Sequence, residues 1–156
     1  MNIEIERKFL VLSSEFKDLA YTSSHLVQGY LSTDKNRTVR VRIKDDQGYL
    51  TIKGKSSDNG LSRFEWEKEI SKREALNLLT LALPGVIEKT RYFISFRNHI
   101  WEIDEFLGEN KGLILAEVEL ESESEEFIKP DFIGEEVTGN QKYYNSYISQ
   151  YPYSTW

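Results

Sequence analysis

Thr38-Val39-Arg40-Val41-Arg42-Ile43-Lys44 puts every apolar side chain on one parity and Thr38 with every basic one on the other. Successive side chains of an extended strand point to opposite faces, so this stretch is a β-strand with an apolar face and a basic face. The same alternation continues outward in both directions. Leu50 and Ile52 oppose Thr51, Lys53 and Lys55; Phe64 and Trp66 oppose Arg63, Glu65, Glu67 and Glu69. Near the start, Ile3, Ile5 and Phe9 oppose Glu4, Glu6 and Lys8. Towards the end, Lys89 with Arg91, Glu102 with Asp104, and Glu117 with Glu119 alternate with apolar neighbours such as Ala116, Val118 and Leu120. The pattern defines eight strands, at about 2–12, 26–32, 37–45, 48–55, 62–70, 86–97, 99–107 and 112–121. Asp45-Asp46-Gln47-Gly48 and Arg97-Asn98-His99 supply hairpin turns, which make neighbouring strands antiparallel.

An ordinary antiparallel sheet would bury the apolar faces and leave the charged ones in water. Solvated faces mix polar residues loosely, whereas these strands repeat acid-x-acid and base-x-base. A sheet closed on itself accounts for both faces: the charged side chains line the interior, and helices and loops cover the apolar outside. Eight strands suit a barrel that encloses side chains or one small ligand. The fold class is therefore mainly β with some helix (α+β), an eight-stranded antiparallel closed barrel with a charged interior. Ser71-Lys72-Arg73-Glu74 reads as a capping box opening a helix through Leu83, stopped by Pro84-Gly85. Residues 13–20 and 140–149 are further helix candidates, and the acidic run 119–126 reads in its second half as a solvated loop leading to Pro130.

At 156 residues, with no repeat or linker, the chain is expected to form one domain over 1–156. It has no cysteine, so neither disulfides nor thiolate–metal sites enter. No basic start followed by an apolar run marks a signal peptide, and no stretch nears the roughly 20 apolar residues that span a bilayer. The expected location is the cytoplasm, without membrane association. A net charge of −6 argues against general nucleic-acid binding but not against binding a small anion.

Enclosed charges are costly unless paired or ligated. The candidate lining is Lys8, Arg40, Arg42, Lys53, Lys89 and Arg91 against Glu4, Glu6, Glu65, Glu67, Asp104, Glu117 and Glu119. Such an interior suits a polyanion together with its metal. Within it, Glu4-x-Glu6-x-Lys8 aligns three side chains on one strand face, about 7 Å apart by strand rise. Two carboxylates so placed can hold one cation or two adjacent ones, and the lysine can neutralise a phosphate beside them.

With these motifs in order, the chain resembles the CYTH superfamily, the triphosphate tunnel metalloenzymes. The resemblance starts at Glu4-x-Glu6-x-Lys8 and continues through Gln28-Gly29-Tyr30-Leu31, Arg40-x-Arg42, Thr51-x-Lys53-Gly54 and Arg63-x-Glu65-x-Glu67. It runs on through Lys89-x-Arg91-Tyr92, Trp101-Glu102-x-Asp104-x-Phe106, Ala116-Glu117-x-Glu119-Leu120 and Glu136-Val137-Thr138-Gly139 into Tyr143-Tyr144-Asn145. It implies an eight-stranded tunnel and a divalent-metal-dependent triphosphatase, most similar to the short bacterial inorganic triphosphatases. It implies Glu4, Glu6 and Glu119 as principal metal ligands, with Asp104 and Glu117 completing the site or holding a second ion. One or two Mg²⁺ or Mn²⁺ ions suit such oxygen donors. Lys8, Arg40, Arg42, Lys53, Lys89 and Arg91 would bind the phosphates. Glu65 and Glu67 stay open between touching metal or water and orienting the bases.

The reaction expected from this is attack of water on the terminal phosphorus, where positioning and charge neutralisation dominate. Catalysis is assigned to Glu4, Glu6, Lys8, Lys53 and Glu119. Lys53 or Lys8 could assist proton transfer, since a lysine crowded by cations has a depressed pKa. The alternatives are a class IV-type adenylate cyclase, a thiamine or nucleoside triphosphatase, and a polyphosphate-binding module without turnover. His25 and His99 fall outside the motifs, and Trp66 and Trp101 are expected on the barrel exterior under a helix. Tyr143, Tyr144 and Lys142 could close one tunnel mouth or simply pack. The aromatic end Tyr151–Trp156 could dock on the body or serve a homodimer.

Overall fold

The computed structural model describes residues 2–156. Nine strands form one sheet: β1 (Ile3–Val11), β2 (Thr22–Ser32), β3 (Arg37–Lys44), β4 (Gln47–Ser56), β5 (Ser62–Ile70), β6 (Ile87–Phe96), β7 (His99–Phe106), β8 (Ile114–Glu119) and β9 (Ile133–Glu136). All pairings are antiparallel, in the order β5-β4-β3-β2-β6-β7-β8-β1-β9, and β5 also pairs with β1. That last pairing closes β1 to β8 into the expected eight-stranded barrel. β1 makes the closure through its two edges: Ile3 to Ile5 pair with β5 along one, and Glu6 to Leu10 pair with β8 along the other. Beyond the start of β5 the freed edge of β1 is taken by β9, through Phe9–Glu136 and Val11–Ile133. This ninth strand lies in a stretch where the alternation predicts no strand.

The turn chemistry follows the residues. Between β6 and β7, Arg97 and Asn98 adopt φ of 48° and 67°, the two left-handed positions of the hairpin turn that matches strand twist. Between β3 and β4, Asp45 takes φ 53° and its carboxylate accepts from the His25 backbone N–H at 3.0 Å.

The three helices are α1 (Phe16–Leu19), α2 (Lys72–Leu79) and α3 (Asn145–Gln150). Each is shorter than its sequence pattern. The capping box of α2 is formed, with Ser71 Oγ accepting from Glu74 N and Glu74 accepting from Ser71 N, both at 3.0 Å. The helix stops at Leu79, because Thr80 turns its hydroxyl onto Asn77 O at 2.6 Å and the following N–H groups bond three residues back. Tyr144 is extended (ψ 137°), so the C-terminal stretch splits into a 3-10 turn at Gln141–Tyr143 and α3. Among the described residues no helix is long and apolar enough to cross a membrane.

Three apolar clusters order the molecule. Val41 and Ile43 of the outer face pack against Ala75, Leu78 and Leu79 of α2. Gly48 permits this contact, since a Cβ there would meet Ser71 O at 2.7 Å and the Ala75 methyl at 2.8 Å. Phe9, Trp101, Ile103, Ala116 and Val118 form the second outer cluster, under Phe16 of α1 and Phe132 of the loop after β8. Trp101 is fully buried there against Phe9 and Phe127, so a loop rather than a helix covers it. Trp66 has no such cover and is 39% exposed.

The third cluster lies inside. Ile87, Phe106 and Leu115, with Leu10, share the inward parity of Lys89, Asp104, Glu117 and Lys8, and they pack on Ile148 of α3. One end of the barrel is thus filled with apolar side chains and stoppered by the C-terminal helix, so the interior is charged over only part of its length. Tyr143 and Tyr153 join this cluster and stack on Trp156, which docks the aromatic tail on the body.

Candidate active site

The rest of the interior is a cavity of about 320 Å³, at the lower end of the ~300–1,000 Å³ range of small-molecule sites. β1 brings Glu4, Glu6 and Lys8 to its wall, β3 Arg40, Arg42 and Lys44, and β4 Thr51 and Lys53. β5 brings Arg63, Glu65 and Glu67, β6 Lys89 and Arg91, β7 Glu102, and β8 Glu117 and Glu119. Every residue of the expected lining is therefore at the cavity except Asp104. A bulge in β4, where three residues from Lys53 to Ser56 oppose two of β5, turns Lys55 outward and puts Ser56 on the wall.

Asp104 is 2% exposed, and both its oxygens are occupied. Arg91 donates to it as a fork, Nε to Oδ1 at 2.7 Å and a terminal nitrogen to Oδ2 at 2.9 Å, and Lys89 Nζ lies 2.7 Å from Oδ2. Burial opposes its ionisation, but Arg91 and Lys89 hold it far below the usual carboxylate range. As placed, it anchors two cations behind the wall, and it reaches a metal only if they release it. Arg91 also meets Glu102 at 2.6 Å, a carboxylate that the sequence reading put on the charged face without a role.

The acidic side of the cavity is crowded with like charge. Glu6 is pushed well above its ordinary value by burial and by Glu117 and Glu4 beside it. The closeness of Glu117 favours the protonated form of Glu6 and the ionised form of Glu117. Glu117 is the ionised member, held at about 2 against its burial by Lys8 and Arg91. Glu65 is pushed up to about 7 by burial and by its contact with Glu4. Glu119, at the rim, is raised by burial and by Glu4 and Glu102.

Lys53 departs from its expected chemistry. Its ammonium lies 2.9 Å from Glu4 and 3.3 Å from Glu65, and Glu4 raises its pKa against the pull of burial. It is a fixed positive charge, not a depressed base. The other cations of the cavity differ in how they are held. Arg42 is brought down to about 9 by burial, with Arg40 and Arg91 adding to the effect, and its Nε donates to Gln28 Oε1 at 2.9 Å. Lys89 is pulled down by burial as well, beside Arg91 and Arg42, and is 1% exposed. Arg40 is buried, with Thr51 at 3.3 Å and Glu67 at 3.8 Å. Lys8 donates to Tyr143 O at 3.0 Å and lies 3.8 Å from Glu117.

Several wall residues went unassigned in the sequence. Arg63 reaches Gly54 O and Thr38 Oγ1, both at 2.6 Å; its inward parity beside Glu65 was the available signal. Thr138, Gly139, Asn145 and Ser146 close the wall from the C-terminal segment, where strand periodicity announces nothing, together with Tyr144, which was expected to close a tunnel mouth or to pack.

The comparisons agree with this geometry. The CYTH domain family model matches residues 2–152. An inorganic triphosphatase of Acetivibrio thermocellus is 49% identical over 154 residues, covering 98% of this chain and 97% of its own. One from Nitrosomonas europaea is 37% identical over 150 residues, covering 94% and 96%. The crystal structure of an inorganic triphosphatase superposes with a TM-score of 0.68 at 32% identity, over 96% of this chain and 95% of that one.

Proposed function

The chain belongs to the CYTH domain family, and from that premise we propose that it hydrolyses inorganic triphosphate to pyrophosphate and phosphate with the help of a divalent metal. The observation that carries this reading is one small cavity lined both by cations (Arg40, Arg42, Arg63, Lys89 and Arg91) and by carboxylates (Glu4, Glu6, Glu117 and Glu119). Relatives of nearly the same length are inorganic triphosphatases, which gives the polyanion its identity.

The fit of a metal rests on donor chemistry. Among the described residues no three acidic side chains converge closely enough to hold an ion as they stand. Yet Glu117 and Glu4 crowd Glu6, and Glu4 presses on Glu65 as well. Excess carboxylate of this kind suits a hard cation with oxygen ligands, Mg²⁺ or Mn²⁺, as one ion or two. Glu4, Glu6, Glu117 and Glu119 would hold it, and Asp104 stays with its arginine and lysine. A cation held there would supply charge neutralisation on the phosphate oxygens and acidify water at the terminal phosphorus.

The chain's own groups do the rest. Arg40, Arg42 and Arg91 present forked donors matched to phosphate oxygens, and Lys8 and Lys89 add point charges. Lys53, kept protonated by Glu4, stabilises developing negative charge. Glu65, near 7, is matched to accepting the proton of the attacking water at neutral pH. The apolar stopper of Ile87, Phe106, Leu115 and Ile148 keeps water from that end of the site.

The test compares inorganic triphosphate, ATP and thiamine triphosphate as substrates with Mg²⁺ or Mn²⁺. The expected result is a kcat/KM at least about 100-fold higher for inorganic triphosphate, some 2.7 kcal/mol of discrimination. Cyclic AMP from ATP, or equal turnover of all three, would reject the assignment.

A further inference from the structure

Asn145 stands where the C-terminal segment meets the cavity, partly buried in its wall. Its Oδ1 accepts from Lys89 Nζ at 2.8 Å and from Gln28 Nε2 at 3.0 Å. Neither donor can be reversed. An ammonium only donates, and the Gln28 oxygen is already taken by Arg42 Nε, so the Gln28 nitrogen must face Asn145. The network therefore fixes both amides. Both acceptor positions of Asn145 Oδ1 are used, while Nδ2, with two N–H groups, donates to no protein group among the described residues. The Nδ2 atom is accessible and not buried, on a residue that lines the cavity.

We propose that Asn145 is a substrate-contacting specificity residue, whose Nδ2 donates to a terminal phosphate oxygen while Oδ1 holds Lys89 and, through Gln28, Arg42 against the same group. This rests on the triphosphate reading of the cavity. The physical need for it is local. Lys89, Arg91 and Arg42 already crowd this region with buried positive charge, so another cation would cost more in repulsion and desolvation than it returned. A neutral donor adds a hydrogen bond to the anion without that cost. It also ties the C-terminal segment to the anion, because the residue that stoppers the barrel, Ile148, lies three positions further along α3.

The experiment measures KM for inorganic triphosphate with Mg²⁺, and the thermal midpoint without substrate, for wild type, Asn145→Ala, Asn145→Asp and Gln150→Glu. Loss of a hydrogen bond to a charged group should raise KM about tenfold in Asn145→Ala. Asn145→Asp keeps both accepted bonds and gains attraction for Lys89, so its midpoint should equal or exceed that of the alanine variant. Its carboxylate faces the phosphate, so its KM should rise beyond that of alanine. A purely structural amide ranks the two the other way. Wild-type KM in Asn145→Asp, or an equal rise in Gln150→Glu, which adds the same charge at the exposed end of α3 away from the cavity wall, would overturn the proposal. If Asn145→Ala fails to fold, the comparison of Asn145→Asp with wild type and Gln150→Glu decides. Wild type that neither binds nor turns over triphosphate would overturn the substrate assignment and this inference with it.

Discussion

Arg91 grips Asp104 as a two-pronged fork, at 2.7 and 2.9 Å, in a place where only 2% of the aspartate is exposed. Removing one partner of a buried pair leaves an uncompensated charge, which costs about 3–5 kcal/mol. Asp104→Asn keeps the shape and strands the charges of Arg91 and Lys89, so its thermal midpoint should fall accordingly. Inorganic triphosphate should restore part of that loss, because the anion supplies the missing negative charge. Thermal melts with and without triphosphate check both halves. If Asp104→Asn instead loses metal affinity with unchanged stability, Asp104 is a metal ligand and not an anchor.

Glu6→Gln should have opposite effects on stability and on activity. The Glu6 carboxylate is buried beside Glu117 and Glu4 and resists ionisation. Without metal at pH 8, the neutral amide should be at least as stable as wild type. Turnover with Mg²⁺ should fall by at least about 100-fold, the usual scale for losing a group that acts in the transition state. Glu119→Gln, at the rim, should lose activity with little change in stability. A Glu6→Gln enzyme with near-normal turnover removes Glu6 from the site.

The raised carboxyls set a direction for pH. A group whose folded pKa exceeds its unfolded value contributes stability that is full below the unfolded pKa and lost as pH rises through the folded one. For Glu65, which moves from 4.5 to about 7, that loss falls between about pH 5 and pH 8, and Glu6 acts in the same sense. Glu117 runs the other way, and its contribution disappears only as pH falls through about 4.5 towards 2. The metal-free protein should therefore lose stability from pH 5 to 8, with roughly 3 kcal/mol as the ceiling from Glu65. Millimolar Mg²⁺ should recover it at pH 8. A flat metal-free profile over that range contradicts the crowding described for this wall.

Ile148 is fully buried against Ile87, Phe106 and Leu115. Ile148→Ala should cost about 2–5 kcal/mol, the range for opening a cavity in a packed core. Because α3 also carries Asn145, KM for triphosphate should rise along with the loss of stability. Denaturant unfolding alongside kinetics separates this from a general loss of fold, which would lower active fraction and leave KM alone.

The barrel was legible because its information is local. Parity in Thr38–Lys44 and its neighbours set the strands, and Asp45-Asp46 and Arg97-Asn98 set the hairpins, each from side chains a few residues apart. The charged interior followed from acid-x-acid and base-x-base repeats, and the ordered motifs matched a family. What escaped depends on distant partners. The stretch Ile133-Gly134-Glu135-Glu136 has little strand propensity of its own and pairs only because β1 outlasts β5. Leu10, Ile87, Phe106 and Leu115 share the parity of the charged residues, so alternation alone does not separate the apolar stopper from the charged lining. Acidity puts Asp104 beside the metal ligands in sequence, where its forked arginine partner is not visible. Asn145 carries no charge and sits at a break between a 3-10 turn and a short helix, so no periodic signal marks it.

The most direct test of the central claim is phosphorus NMR of inorganic triphosphate incubated with the protein and Mg²⁺, and in parallel with a chelator in place of the metal. The expected result is conversion of triphosphate to equal amounts of pyrophosphate and phosphate with Mg²⁺, and none with the chelator. Triphosphate left intact in the presence of Mg²⁺ and of Mn²⁺, or cleaved at the same rate in the chelator, would contradict it.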